Sequence, residues 1–161
     1  MSLLASILAT GIGATATMDL WSLVRRAVFG VPAPDYALVG RWIGHMRHGR
    51  FAHRAIAQAS PVAREAVIGW ATHYLVGIGF AALLAWLAGA TWFQAPTLLP
   101  ALAVGAATVA APFLVMQPAM GAGFASRRTP RPRIARMHSL VNHLVFGAGL
   151  YASALAWQLV V

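Results

Sequence analysis

All twelve arginines of this chain fall in two stretches, and there is no lysine. Arg25, Arg26, Arg41, Arg47, Arg50, Arg54 and Arg64 lie between the first and second of four apolar segments, and Arg127, Arg128, Arg131, Arg133 and Arg136 between the third and fourth. The remaining link and both ends carry none. Positive charge confined to alternate loops is the positive-inside pattern of a polytopic membrane protein. It keeps the two arginine-rich loops in the cytoplasm and puts both termini and the 92–96 link outside.

A helix needs about 20 apolar residues to cross a bilayer. Four segments qualify, at roughly 2–24, 65–90, 97–124 and 138–160, leaving cytoplasmic loops at 25–64 and 125–137. The expected fold is all-α, an integral-membrane four-helix bundle forming one domain over residues 1–161. Charged residues make up 9% of the chain, against about 25% in soluble domains, so most of this surface cannot face water. The formal charge of +9 is topology rather than a nucleic-acid footprint, because every arginine sits at a membrane edge. Without cysteine, disulfides and thiolate chemistry are excluded. The first segment has no positive charge ahead of it, so it reads as a span rather than a cleaved signal.

The first loop has structure of its own. Asp35 caps a short helix in which Tyr36, Val39, Trp42, Ile43 and Met46 share a face, suited to lie on the inner leaflet. Ser60 and Pro61 read as the cap and first turn of the helix leading into the second span. Pro130 and Pro132 keep Ser126 to Arg133 extended, along anionic lipid headgroups. Trp86, Trp92 and Trp157 fall near the outer interface, Trp21 and Trp70 near the inner one.

Two spans share a motif. His73, Gly77 and Gly79 in the second repeat as His143, Gly147 and Gly149 in the fourth. Spans one and three share a weaker likeness around Gly13 and Gly105. A duplicated helical hairpin follows, with its pseudo-twofold along the membrane normal.

Polar side chains within the spans fall at one depth. At 1.5 Å per residue, Asp19 is roughly 9 Å inside the boundary set by Arg25, and His73 about 13 Å in from Arg64. Gln117 is about 15 Å from Arg127, and His143 about 10 Å from Arg136. Asn142 and His138 lie just below, and Met116 and Met120 flank Gln117. Such groups face the bundle and find partners, either as helix glue or as a functional site. As a metal site, Asp19, His73 and His143 suit Zn, Fe or Cu, with Met116 or Met120 biasing it towards a softer ion. As a haem site, His73 and His143 are the axial ligands, and the glycines four and six positions on leave room for a flat ring. Pro112 and Pro118 break the third span. His45, His48 and His53 form no recognised ligand spacing and read as interfacial.

Several stretches resemble a known family: Ala14 to Asp19, Val39 to Trp42 with Gly44 and His45, Gln117 to Gly123, Arg128 to Pro132, and His143 to Tyr151. The chain is similar over nearly its whole length to domain-of-unknown-function family 2938, small bacterial inner-membrane proteins. The resemblance implies a four-helix membrane protein of proteobacterial type and brings no activity with it.

No Ser-His-Asp order, phosphate loop or paired carboxylates supports hydrolase or nucleotide chemistry. The leading expectation is a protein that binds or moves a small species (a metal ion, a proton or a small solute) through the polar layer. The rivals are a membrane cytochrome using His73 and His143, and a non-catalytic accessory subunit whose Gly-rich faces pack against a second copy or a larger membrane complex.

Overall fold

The structure, a computed structural model describing residues 2–160, is helical, with no strand among the described residues. Four helical segments are long and apolar enough to cross a membrane: Leu3–Phe29, Glu65–Ala88, Leu98–Met120 and Pro132–Gln158. This is the architecture of a multi-pass membrane protein. The boundaries differ from expectation for local reasons. Helix α1 (Leu3–Phe29) starts where Ser2 Oγ accepts from Ala5 N–H at 3.2 Å. It runs on past Arg25 and Arg26 and stops at Gly30, whose φ of 64° is left-handed. The last helix, α6 (Pro132–Gln158), begins six residues ahead of the expected His138. Proline needs no N–H donor partner in a first turn, so the polar start Pro132–Met137 is helical rather than loop.

The third span is not one α-helix. α4 (Leu98–Thr108) gives way to a π-turn at Pro112–Met116 and a short α5 (Gln117–Met120). Pro112 has no N–H for the Thr108 carbonyl, nor Pro118 for that of Leu114. Within the turn Gln117 N–H reaches Pro112 O instead. Gly121, at φ 99°, ends the segment short of the expected Phe124.

The chain packs as two compact units: Met1–Ala33, Tyr74–Thr108 and Leu140–Val161 in the first, Pro34–His73 and Val109–Ser139 in the second. In the first unit α1, α3 (Glu65–Ala88), α4 and α6 close on a core that includes Ala14, Leu84, Phe93, Val104, Phe146 and Leu150. The outward sides carry Leu4, Leu20, Leu75, Trp86 and Leu99, all exposed, as a lipid-facing surface must. Trp92 does not join an aromatic belt. The 3₁₀ turn Ala90–Gln94 folds it into the core, where it is buried against Phe93. Gln158 Nε2 secures that turn by donating to Phe93 O at 2.8 Å.

The second unit is built around α2 (Tyr36–Met46), capped as expected by Asp35 Oδ1 accepting from Ala37 N–H at 3.0 Å. What α2 buries is not the apolar stripe but Gly40, Gly44 and His45. Gly40 and Gly69 bring the backbones of α2 and α3 into contact, and a Cβ on either would strike the other helix's backbone. Arg41 then reaches Glu65 in a two-pronged pair, Nε to Oε2 at 2.9 Å and Nη2 to Oε1 at 2.7 Å. Its Nη1 donates to the carbonyls of Ala57 and Ala59, each at 3.2 Å. Glu65 Oε2 also accepts from Val62 N–H at 2.9 Å. This is why α3 starts at Glu65 and not at Ser60: Arg64, at φ 59°, breaks it from the residues before, and the Glu65 carboxylate holds the Val62 N–H of the preceding turn. Ser60 instead offers its carbonyl to the His45 ring N–H, 2.9 Å away.

The second arginine-rich loop is not extended. Gly121, Gly123, Ala125 and Ser126 all have positive φ, and the segment winds into turns. Arg128 N–H donates to Ala122 O at 2.8 Å, and the Thr129 hydroxyl to Ser126 O at 2.7 Å.

Candidate functional site

The site begins with two close helix crossings. In the first hairpin Gly11 of α1 meets α3, where a Cβ would lie 2.6 Å from Ile78 Cα. Gly77 of α3 faces the Thr15 side chain of α1. In the second hairpin Gly105 of α4 and Gly147 of α6 are pressed together, so that a Cβ on Gly105 would lie 2.7 Å from Gly147 Cα. The repeat is therefore structural: each motif glycine four residues after a histidine is the point where its helix crosses the preceding span. The helix-one counterpart of Gly105 is Gly11 rather than Gly13. The next motif glycines diverge. Gly149 is packed against Ala14 and Thr17 of α1, whereas Gly79 has nothing near it. Gly77, Gly147 and Gly149 thus receive neighbouring helices. The room expected for a flat ring is filled beside these three glycines.

The crossings carry polar pairs with them. One turn from Gly105, the Thr108 hydroxyl lies 2.7 Å from Gly105 O and 3.0 Å from His143 Nδ1. A carbonyl only accepts, so the single hydroxyl proton goes to Gly105. Thr108 must then accept from His143 Nδ1–H, which leaves Nε2 as the lone-pair nitrogen. In the first hairpin Tyr74 donates its hydroxyl to Asp19 Oδ2 at 3.1 Å. Both pairs belong to the first unit.

Their depths can be compared from the α1–α6 contact at Thr17 and Gly149. Moving towards the arginine-bearing ends, Asp19 and Ser22 lie about 3 and about 8 Å further along α1, and His143 and Asn142 about 9 and about 10 Å along α6. Ser22 Oγ and Asn142 Oδ1 are buried without a hydrogen-bond partner among the described residues. Of the residues read into that layer, Asp19, His143 and Asn142 lie in the first unit, together with Tyr74, Thr108 and Ser22.

The other residues assigned to that layer have separate local settings. His73 lies in the second unit, where its ring stacks on Tyr36 at 4.0 Å between centroids, with Trp70 edge-on at 5.9 Å. Gln117 is a bracket: its Oε1 accepts from the Ser126 hydroxyl at 2.9 Å, and its Nε2 donates to Ser139 Oγ at 3.4 Å. It ties the turn-rich loop to α6. Met116 closes the π-turn and Met120 closes α5, both half-buried, as is His138 on α6. Among the described residues no group of three or more His, Cys, Asp or Glu is gathered to hold a metal ion.

Sequence reasoning passed over Tyr74 and Thr108, ordinary residues in apolar surroundings. It also passed over the buried hydroxyls of α1, although a signal existed. Gly11, Thr15, Met18, Ser22 and Arg25 follow a four-three spacing, one face of a helix, and all but Met18 are buried. Thr15 and Thr17 satisfy themselves by donating to the carbonyls of Gly11 and Gly13, each at 2.8 Å.

Residues 8–157 match the family model described as a protein of unknown function (DUF2938), and the chain belongs to that family. No curated protein and no solved structure matches the chain.

Proposed function

We propose that this DUF2938 member is a multi-pass protein of a bacterial inner membrane that carries protons, alone or with a small polar solute, through the layer formed by Asp19, Tyr74, Thr108 and His143. The observation that carries the reading is the Thr108–His143 pair. With Nδ1–H given to Thr108, Nε2 is a base held inside a span, where ionisable side chains are costly unless used. Asp19, in the same unit, is the second proton-accepting group. The partnerless Ser22 and Asn142 oxygens of the same unit suit water or a polar solute, because buried polar atoms need partners. Metal and haem readings have less support, given that no three candidate ligands gather among the described residues and that Gly77, Gly147 and Gly149 are taken up by neighbouring helices. In this reading the arginine-rich loops are cytoplasmic and both termini periplasmic.

The test is proton flux into liposomes that hold the purified full-length chain and an internal pH dye, under an imposed membrane potential. Flux in the parent, lost in Asp19→Asn and in His143→Gln with helix content retained, supports the reading. A parent that passes no protons under a potential or a pH gradient overturns it.

A further inference from the structure

We propose that the start of α6 binds the phosphate of one anionic phospholipid through Arg131, Arg133 and Arg136. The reading is independent of the proton layer.

The first argument is the charge balance. The chain has three carboxylate side chains. Asp19 accepts from Tyr74, Asp35 caps α2, and Glu65 is taken by Arg41 in a salt bridge. Arg127, Arg128, Arg131, Arg133 and Arg136, all exposed, therefore have no carboxylate side chain left among the described residues to offset them. Arg133 and Arg136 stand one turn apart, a repulsive spacing for like charges. They also sit in the first turns of a 27-residue helix, where the helix dipole favours anions and disfavours cations. An external anion removes both conflicts.

The second argument is shape and chemistry. Arg131, Pro132, Arg133, Ile134 and Arg136 line an open concavity of about 480 Å³. Arg136 Nε is held by the Ala125 carbonyl at 2.7 Å, which orders the side chain and leaves its two terminal nitrogens for an anion. Guanidinium forks match phosphate oxygens two at a time.

The third argument selects a lipid phosphate over a free one. Ile134, Met137 and Phe124 are exposed among these arginines, at the end of a span long and apolar enough to cross a membrane. Apolar side chains beside a phosphate-binding cluster suit a headgroup that brings acyl chains with it.

The experiment is native mass spectrometry of the full-length chain in detergent, titrated with phosphatidylglycerol, with phosphatidylcholine or with inorganic phosphate. The expected result is one retained phosphatidylglycerol, preferred over phosphatidylcholine. Arg133→Gln with Arg136→Gln should weaken it by roughly thirtyfold, while Arg47→Gln with Arg50→Gln leaves it unchanged. Should the first double variant lose helix content, Arg133→Lys with Arg136→Lys keeps the charge and should bind more weakly than the parent but more tightly than the glutamine pair. Equal losses in the two glutamine pairs would mean diffuse attraction and overturn the site. So would an absence of lipid preference, or displacement of phosphatidylglycerol by millimolar inorganic phosphate.

Discussion

Gly105 of α4 and Gly147 of α6 approach so closely that a methyl group on the first would lie 2.7 Å from the Cα of the second and 2.6 Å from the carbonyl oxygen of His143. No flexible side chain is available to give way, because the opposing atoms are backbone. Gly105→Ala must therefore push α4 from α6. The expected loss is about 1–3 kcal/mol, the usual cost of overpacking, and it exceeds the helix-propensity gain of about 1 kcal/mol for replacing glycine by alanine. Gly79, the repeat partner of Gly149, provides the control, since nothing lies near it. Gly79→Ala should be neutral or stabilising. Melting temperatures in detergent check both, and equal effects at the two positions would refute the crossing.

The same crossing sets the protonation state of His143. Thr108→Val keeps the shape and removes the acceptor for Nδ1–H. Nitrogen NMR of labelled imidazole should show an Nδ1-protonated ring in the parent and a mixture of tautomers in the variant. The stability change should be small, about 0.6 kcal/mol for one hydrogen bond between membrane helices. An Nε2-protonated parent would reverse the assignment and remove the base from the proposed proton path.

How much of this was legible from residue order depends on whether the partner was local. Four spans follow from apolar length alone, and the α2 cap follows from Asp35 two residues ahead of the N–H it binds. The start of α3 falls later than Ser60 because its first residue, Glu65, is held by Arg41 from 24 residues away, and no local pattern reports that. The motif glycines were visible, but their use was not. Whether a glycine admits a ring or a helix depends on what lies opposite, and that is a tertiary fact. Asp19 and His143 stood out because polar groups in spans are costly. Tyr74 and Thr108, which give those two their hydrogen bonds, are unremarkable types for apolar segments and could be named only once the crossings were known.

Topology can be checked without a functional assay. A reporter active only in the periplasm should be active when fused after Val161 and silent when inserted near Arg50 or Arg131. Those insertions fall in the two arginine-bearing stretches, which membranes retain on the cytoplasmic side. Activity at either internal site would invert the proposed orientation and move the polar layer to the other half of the membrane.

His53 gives the second unit a pH dependence. Its backbone N–H donates to Ala119 O at 2.7 Å, fastening the first arginine-rich stretch to α5. Its ring stands edge-on to His45 at 4.9 Å between centroids, with both ring nitrogens buried and lacking a partner among the described residues. Burial first, then the positive charges of His45 and Arg50, hold its pKa below the ordinary 6.5. The folded chain thus binds a proton here less readily than the unfolded chain. The His53 contribution to stability is complete above the ordinary 6.5 and shrinks as pH falls from there towards the folded value. Melting temperature in detergent should therefore drop between about pH 7.5 and about pH 5.5, the range in which histidine titrates. His53→Leu, which cannot titrate, should flatten that part of the profile. Parallel profiles for parent and variant would show that His53 takes up its proton alike in the folded and unfolded states and that the acid sensitivity lies elsewhere.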